Sequence, residues 1–184
     1  MAVLGNQSTG GLADTWKDLV AGTRYIPQES GVIVGIYSRS NKDTGIGGTA
    51  ALRFTIYSDN AGAPDTIRMH SSTDVIVTTT LQWWGSTSFT EDVTNGTRIT
   101  TDVPLWIMGM NDNPFTIVTY YDPGYTNQSA IVNPTISTWN WVSPITSISS
   151  YVAADLQLYI EYIPDPKPGI TGLSTIQGLQ TIII

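Results

Sequence analysis

The 184-residue chain contains no cysteine and a single histidine. The absence of cysteine excludes disulfides, thiolate metal sites and cysteine nucleophiles together. Any Ser-His-Asp triad would need His70, whose place inside a predicted strand gives no reason to expect an acidic partner. Phosphate-loop, zinc-protease and dinucleotide-binding motifs are also missing from the sequence. We therefore predict that the protein is not an enzyme.

Charge is scarce as well, since charged residues make up only 12% of the chain. The 8 basic and 15 acidic residues give a net charge of -7, and the basic residues are scattered without a cluster. A nucleic-acid or anionic-membrane surface needs clustered basic residues, so we expect neither partner. No apolar run approaches the roughly 18 residues of a membrane helix, which predicts no membrane insertion.

The first residues, Met1 to Asn6, have neither the basic region nor the apolar region of a secretion signal. Two explanations stay open: the chain is not exported by such a signal, or a start codon has replaced the signal. A virion protein assembled in the cytoplasm needs no signal. We therefore predict a location on a virion surface, with an extracellular or cell-surface location as the alternative.

The sequence is rich in alternating β-type segments. Leu52, Phe54 and Ile56 alternate with Arg53, Thr55 and Tyr57, and a second alternation runs through residues 154–162. The segment 32–37 is apolar on both faces, which predicts a central strand. The whole pattern predicts an all-β fold, an antiparallel, jelly-roll-like β-sandwich of about ten strands without a convincing helix. Its core should contain Leu52, Phe54, Ile56, Leu156, Leu158 and Ile160.

Turn residues suggest where strands end. Residues 58–64 combine Asp, Asn, Gly and Pro, which predicts a tight turn with a positive φ at Gly62. Residues 38–48 read as a loop. Asn95-Gly96 predicts a hairpin, after which residues 98–110 should form one long strand interrupted at Pro104.

Three motifs carry a family resemblance. They are Leu4-Gly5-Asn6, the Leu-x-x-x-Ile-Tyr-x-Asp-Asn-x-Gly-x-Pro segment at 52–64, and Tyr-Tyr-Asp-Pro-Gly at 120–124. Over roughly residues 3 to 163, the chain resembles β-sandwich modules of bacterial and archaeal surface proteins and of some phage virion proteins. The resemblance implies a jelly-roll-like domain used for display, adhesion or glycan contact, with no catalytic motif to transfer.

The sequence divides into three parts. We predict a sandwich domain over residues 1–163, a proline-rich linker over 164–168 and an apolar tail over 169–184. Three prolines make the linker stiff and extended.

Apolar residues of the tail follow a strict step of three: Ile170, Leu173, Ile176, Leu179 and Ile182. A strand would show a step of two and a helix steps of three and four, so the pattern suits an extended, threefold-wound chain. Small residues precede each apolar one and allow close approach of neighbouring chains. We predict that the tail assembles or anchors the protein, most simply as a homotrimer or on a larger particle, with a disordered tail as the alternative.

Two loops are rich in oxygen ligands. Asp59, Asn60 and Asp65 crowd one loop, and residues 111–113 crowd another. Calcium prefers several oxygen ligands from one loop, so a calcium site at Asp59, Asn60 and Asp65 is one hypothesis. Neither loop has the spacing of a known calcium motif, and turn chemistry alone would explain both.

Six tryptophans are many for this length, and four of them suggest a glycan site: Trp83, Trp84, Trp139 and Trp141. Adjacent Trp83 and Trp84 must point to opposite faces of a strand, so at least one can leave the core. Trp139 and Trp141 would share a face of an extended segment. Burial in the core or under loops is the alternative, because tryptophan buries a large area.

These observations favour a non-catalytic structural protein of a virion surface, of the capsid-decoration or fibre type. A secreted or surface carbohydrate-binding module is the first alternative, and an extracellular filament subunit is the second. The three functions predict different behaviour, namely association with particles, glycan binding and polymerisation of the purified chain.

Overall fold

The computed structural model describes residues 1–16, 19–44, 48–111, 116–123, 129–132, 145, 148–152 and 154–167. These residues contain sixteen strands and no helix. In chain order the strands are β1 (Ala2–Gly5), β2 (Leu12–Trp16), β3 (Val20–Tyr25), β4 (Gly31–Lys42), β5 (Ala50–Asn60), β6 (Ala63–Ser71), β7 (Val75–Val77), β8 (Gln82–Ser86), β9 (Phe89–Glu91), β10 (Arg98–Ile99), β11 (Leu105–Asn111), β12 (Ile117–Pro123), β13 (Ser129–Val132), β14 (Ser150–Val152), β15 (Ala154–Leu156) and β16 (Leu158–Pro164).

The strands form two antiparallel sheets. Sheet I has the order β1-β16-β4-β12-β15, with β8 and β10 also paired to β4 and β2 to β12. Sheet II has the order β14-β13-β3-β11-β5-β6-β9, with β7 paired to β5. The chain changes sheet at most connections, as between β3, β4 and β5. The predicted all-β sandwich is therefore confirmed, whereas the expected number of about ten strands was too low.

The extra strands are short. β7, β9, β10, β14 and β15 have only two or three residues each, too few to show an alternation in the sequence. The alternation at 154–162 is also divided, because Gln157 separates β15, which pairs with β12, from β16, which pairs with β4. The central position predicted for residues 32–37 is confirmed, since β4 pairs with β16, β12, β8 and β10.

The main core lies between the two sheets. Leu52, Phe54 and Ile56 of β5 and Leu156, Leu158 and Ile160 of the C-terminal strands are all buried in it, as predicted. Their inward positions follow from the period of two, because a slip of one residue would expose each set.

A second apolar cluster covers the outer face of sheet II. Trp106, Met108 and Met110 of β11 are fully buried on this face, together with Tyr57 of β5. Ile145 and Ile148, from the chain after β13, pack against them. The backbone N–H of Ile145 donates to the carbonyl oxygen of Asp65 at 3.1 Å, which ties this covering segment to the sheet. β11 and most of β5, at the centre of sheet II, are thus buried on both faces.

Three sequence expectations about loops and strands were wrong, whereas the tight turn predicted within 58–64 is present as a two-residue hairpin turn between β5 and β6. β4 continues to Lys42, well into the predicted loop at 38–48. The Asn95-Gly96 segment joins β9 of sheet II to β10 of sheet I instead of two paired strands. The long strand expected at 98–110 is divided between the sheets, because Asp102 has a φ of 60° and turns the chain before Pro104.

The hairpin between β5 and β6 agrees with the prediction for Gly62, which has a φ of 88°. Ala61 is also positive, at 52°. Two central residues with positive φ are the pattern of a type I′ hairpin, whose twist matches that of the flanking strands.

Candidate functional site

Three aromatic side chains lie side by side on the outer face of sheet I. Tyr37 of β4 pairs with Tyr159 of β16, and the neighbouring Arg39 of β4 pairs with Trp83 of β8. Their side chains point away from the core because the alternate residues of these strands point into it. We call Tyr37, Trp83 and Tyr159 the aromatic surface.

The rings of the aromatic surface contact one another closely. Tyr37 and Tyr159 are stacked with centroids 4.9 Å apart and planes 19° apart. Trp83 meets Tyr159 edge to face, with centroids 4.8 Å apart and planes 73° apart. Offset stacks and edge contacts are the favoured arrangements for aromatic pairs. Tyr159 is buried by these contacts, whereas Trp83 and Tyr37 are half-buried.

Two glycines make room for Tyr37. A Cβ atom at Gly85 would lie 2.1 Å from Cδ1 of Tyr37, and one at Gly35 would lie 2.6 Å from its Cε2. The tyrosine ring therefore lies flat on bare backbone of its own and the adjacent strand. Covering glycine with an aromatic ring across strands stabilises a sheet, so this contact has a structural use whether or not the surface binds a ligand.

Polar groups border the aromatic surface. The Tyr37 hydroxyl donates to Oε2 of Glu161 at 3.2 Å, and burial together with the Glu161 charge raises the pKa of Tyr37, which keeps the hydroxyl a donor. Arg39 donates to Oε1 of Gln157 at 3.1 Å, and its guanidinium lies 4.9 Å from the centroid of the Tyr120 ring. The surface thus combines apolar ring faces with a carboxylate and a guanidinium at its edges.

The other predicted glycan residues divide into two groups. Trp84 points to the opposite face from Trp83, packs against the core and donates its indole N–H to the carbonyl oxygen of Ser40 at 2.9 Å. The prediction that one residue of this pair leaves the core is confirmed by Trp83. Trp139 and Trp141 lie outside the described residues. Sequence reasoning missed Tyr37 and Tyr159, because only the pairing of β4, β8 and β16 brings them to Trp83.

The carboxylate of Asp59 is engaged by the protein itself. It accepts hydrogen bonds from Nε of Arg24 at 2.7 Å, from the indole N–H of Trp106 at 2.9 Å and from the backbone N–H of Gly62 at 3.1 Å. Burial alone would raise the pKa of Asp59, but these three donors lower it below the usual value. This residue therefore ties β3, β5 and β11 to the hairpin turn.

The other two calcium candidates lie on the strands that flank the hairpin turn. Asn60 is exposed at the end of β5, and Asp65 accepts a hydrogen bond from the hydroxyl of Thr66 at 3.1 Å. Within the described ranges, no three acidic or histidine side chains come together as a metal site would need. The calcium site stays a prediction, and Asp112 and Asn113 of the second loop lie outside these ranges.

Two of the three resemblance motifs meet in space. The amide of Asn6 donates to Oδ2 of Asp122 at 2.8 Å and to the carbonyl oxygen of Asp155 at 3.0 Å. Asp155 lies directly opposite Asp122 in the pairing of β15 with β12 and accepts a hydrogen bond from the Tyr25 hydroxyl. Burial, opposed by the Tyr25 hydrogen bond and assisted by the Asp122 charge, raises the pKa of Asp155. This polar network fastens the N-terminal segment to the sandwich.

His70 has an acidic partner, contrary to expectation. Its Nδ1 lies 2.7 Å from Oδ2 of Asp92, and both side chains are partly exposed. A catalytic triad would need a nucleophile in addition to this pair.

The end of the sandwich from which the tail departs is held by several contacts. β16 ends at Pro164, opposite Gly31 at the start of β4, so the first linker residue belongs to sheet I. The backbone N–H of Asp165 donates to the carbonyl oxygen of Ser30 at 2.9 Å, and its carboxylate pairs with Arg98. We call this end, where β16 leaves and β4 begins, the base.

Exposed apolar residues are concentrated at the base. Val32 and Ile163 face each other across β4 and β16 and are 39% and 55% exposed. Val3 of β1 is 40% exposed on the same face of sheet I, and Ile26 and Val103 lie exposed near the bond between Asp102 and Pro27. The assembly residues predicted in the tail, from Ile170 to Ile182, lie outside the described residues.

No helix in the described ranges is long and apolar enough to span a membrane. Comparisons of the chain with protein-family models, with curated proteins and with solved structures find no match. The similarity to surface and virion modules, which is carried by short motifs of this sequence, therefore stays a prediction.

Proposed function

We propose that this chain is a non-catalytic structural protein of a virion surface, of the capsid-decoration or fibre type. The main support for the proposal is the structure of the base. There the chain leaves the sandwich at a fixed point, beside exposed apolar residues. The bond between Asp165 and Ser30 and the Arg98 ion pair hold this point. Beyond it, the sequence continues with a proline-rich linker and a tail without any charged residue between 169 and 184.

This arrangement suits a protein that is attached at one end and displayed at the other. Strand β4 begins at the base and ends at Lys42, at the opposite end of sheet I. Apolar side chains in contact with water favour association, because their burial yields about 25 cal/mol per Å² of surface. A tail with an apolar step of three offers the kind of surface that such a base would contact.

Particle association tests the proposal. The full chain should sediment with the parent particles, and a variant that ends at Lys167 should remain in the supernatant while melting at an unchanged temperature. A control with Ile76→Ala, an exposed apolar residue of β7 away from the base, should sediment like the wild type. If the full chain never sediments with particles, the virion function is wrong.

A carbohydrate-binding module is the second candidate, and the aromatic surface favours it. Half-buried Trp83 and Tyr37 offer ring faces on which a sugar ring can stack, and Glu161 and Arg39 offer an acceptor and donors at the edge. A glycan array with wild type, Trp83→Ala and the conservative Trp83→Tyr tests this candidate. Binding that is lost in the first variant and partly kept in the second supports it, and the absence of any glycan signal in the wild type contradicts it.

A further inference from the structure

The two sheets differ in how their outer faces are covered. On sheet II the outer apolar cluster is buried under Ile145 and Ile148. On sheet I the outer face next to the base presents Val3, Val32 and Ile163 to solvent, at 40%, 39% and 55% exposure. We call these three residues the base patch. It is an apolar sheet face for which the described residues supply no cover.

The cation opposite Val32 is paired, and the Glu161 carboxylate, opposite Val3, accepts a hydrogen bond from the Tyr37 hydroxyl. Arg98 lies opposite Val32 in the pairing of β10 with β4, and its guanidinium is paired with the carboxylate of Asp165. An incoming segment would therefore meet apolar side chains beside a closed ion pair. Such a surface suits an uncharged, apolar segment, because a charged group buried against Val32 and Ile163 would lose its hydration.

The chain itself contains such a segment. Residues 169–184 carry no charged side chain, and apolar residues recur at every third position from Ile170 to Ile182, each preceded by a small residue. The segment follows the base closely in the sequence, since β16 ends at Pro164. One such stripe in water would leave apolar area exposed, and the base patch is apolar surface of matching character.

Strand β16 runs past Ile163 and ends at Pro164, so at the end of this strand the chain is heading away from the base patch. Asp165 is fixed to Ser30, and the proline ring of Pro166 limits its φ to about -65°. To cover its own base patch, the chain would have to reverse its direction after β16. A neighbouring molecule can offer its patch without that reversal.

We propose that the base patch binds residues 169–184 of a second copy of the chain, so that neighbouring copies exchange tails at their bases. The inference rests on the proposed function only in taking the tail as the assembly element. It adds the surface that receives the tail, and it does not depend on which particle the protein belongs to.

The absence of cysteine allows a direct test by cross-linking. One full-length variant carries Val32→Cys and a second carries Leu173→Cys, and the two are mixed and oxidised mildly. We expect a disulfide-linked heterodimer of the two variants. The matched control replaces Val32→Cys by Ile76→Cys, which is 51% exposed on β7 of the other sheet. We expect at least a tenfold lower yield from the control mixture.

Two further results decide the identity of the occupant. A heterodimer yield no higher than that of the Ile76→Cys control overturns the proposal. In a double variant with both Val32→Cys and Leu173→Cys, cross-linking only within single chains would overturn the exchange between copies. These outcomes are separate from particle sedimentation, so the tail exchange and the virion function can fail independently.

Discussion

At the scale of single residues, Phe54 represents the core between the sheets. Its side chain is fully buried among residues of both sheets. We expect Phe54→Ala to lower the free energy of unfolding by about 3–5 kcal/mol, because the loss of the ring leaves a cavity. Denaturant unfolding measures this change, with Ile76→Ala as an exposed control that should stay within about 0.5 kcal/mol of wild type. A loss below about 1 kcal/mol for Phe54→Ala would mean that β5 does not line the core.

We expect Asp155 to make the stability of the protein depend on pH. Burial raises its pKa above that of the unfolded chain, about 3.9 for an aspartate. When the pKa of a group is higher in the folded state, the folded state binds its proton more tightly. The resulting stabilisation is fully present at pH values below the pKa of the unfolded chain, and it is lost as the pH rises through the pKa of the folded protein. Asp155→Asn lacks this titration, and its amide oxygen can still accept from Tyr25. We therefore expect the melting temperature of the variant, relative to wild type, to increase as pH rises from about 4 towards 7. A difference that does not change with pH would contradict this role.

At the scale of elements, the β5–β6 hairpin has one residue that suits its turn poorly. Gly62 tolerates a positive φ, but Ala61 adopts 52° at a steric cost that asparagine or glycine would reduce. We expect Ala61→Asn to raise the free energy of unfolding by about 0.5–1 kcal/mol. We expect Gly62→Val to lower it by more than about 1 kcal/mol, although a Cβ at this position would meet no atom within 4 Å.

Equal stability of wild type and both hairpin variants, measured by denaturant unfolding, would mean that the turn imposes no backbone constraint. Because no neighbouring atom is contacted at Gly62, a loss in Gly62→Val can be assigned to the backbone.

The strand alternations of the sequence identified the inward faces of β5 and β16, because a period of two records which side of a strand is buried. They could not show that the outer face of sheet II is buried as well. That face depends on Ile145 and Ile148, which reach it from a distant part of the chain. Nor could they divide residues 98–110 between two sheets, since sheet membership depends on pairing partners and not on local residues.

The candidate sites also depend on strand pairing, which the sequence does not show. Adjacent Trp83 and Trp84 had to face opposite sides, and the structure places Trp83 outside and Trp84 against the core. The pairing of Trp83 with Tyr37 and Tyr159 follows from the register of three strands, which no local pattern encodes. In the same way, acidic residues crowded in the sequence suggested calcium, whereas Asp59 accepts hydrogen bonds from Arg24 and Trp106 of other strands.

At the scale of the whole molecule, the two ends of sheet I have different characters. The aromatic surface lies along the outer face towards the far end of β4, and the base patch lies where β16 leaves the sheet. If the base holds copies together, the aromatic surface stays free to contact other molecules. The display function and a glycan-binding function are therefore compatible in one protein, and the variants at Trp83 and Val32 should affect them separately.

The mass of the protein in solution tests the central claim, that the tail beyond the sandwich drives assembly. Light scattering should be measured on the full chain and on a variant ending at Lys167, together with their melting temperatures. We predict an assembly of three chains for the full length and a single chain for the variant, with melting temperatures that agree when measured at low concentration. An equal number of chains in both proteins, with the variant folded, would contradict the account.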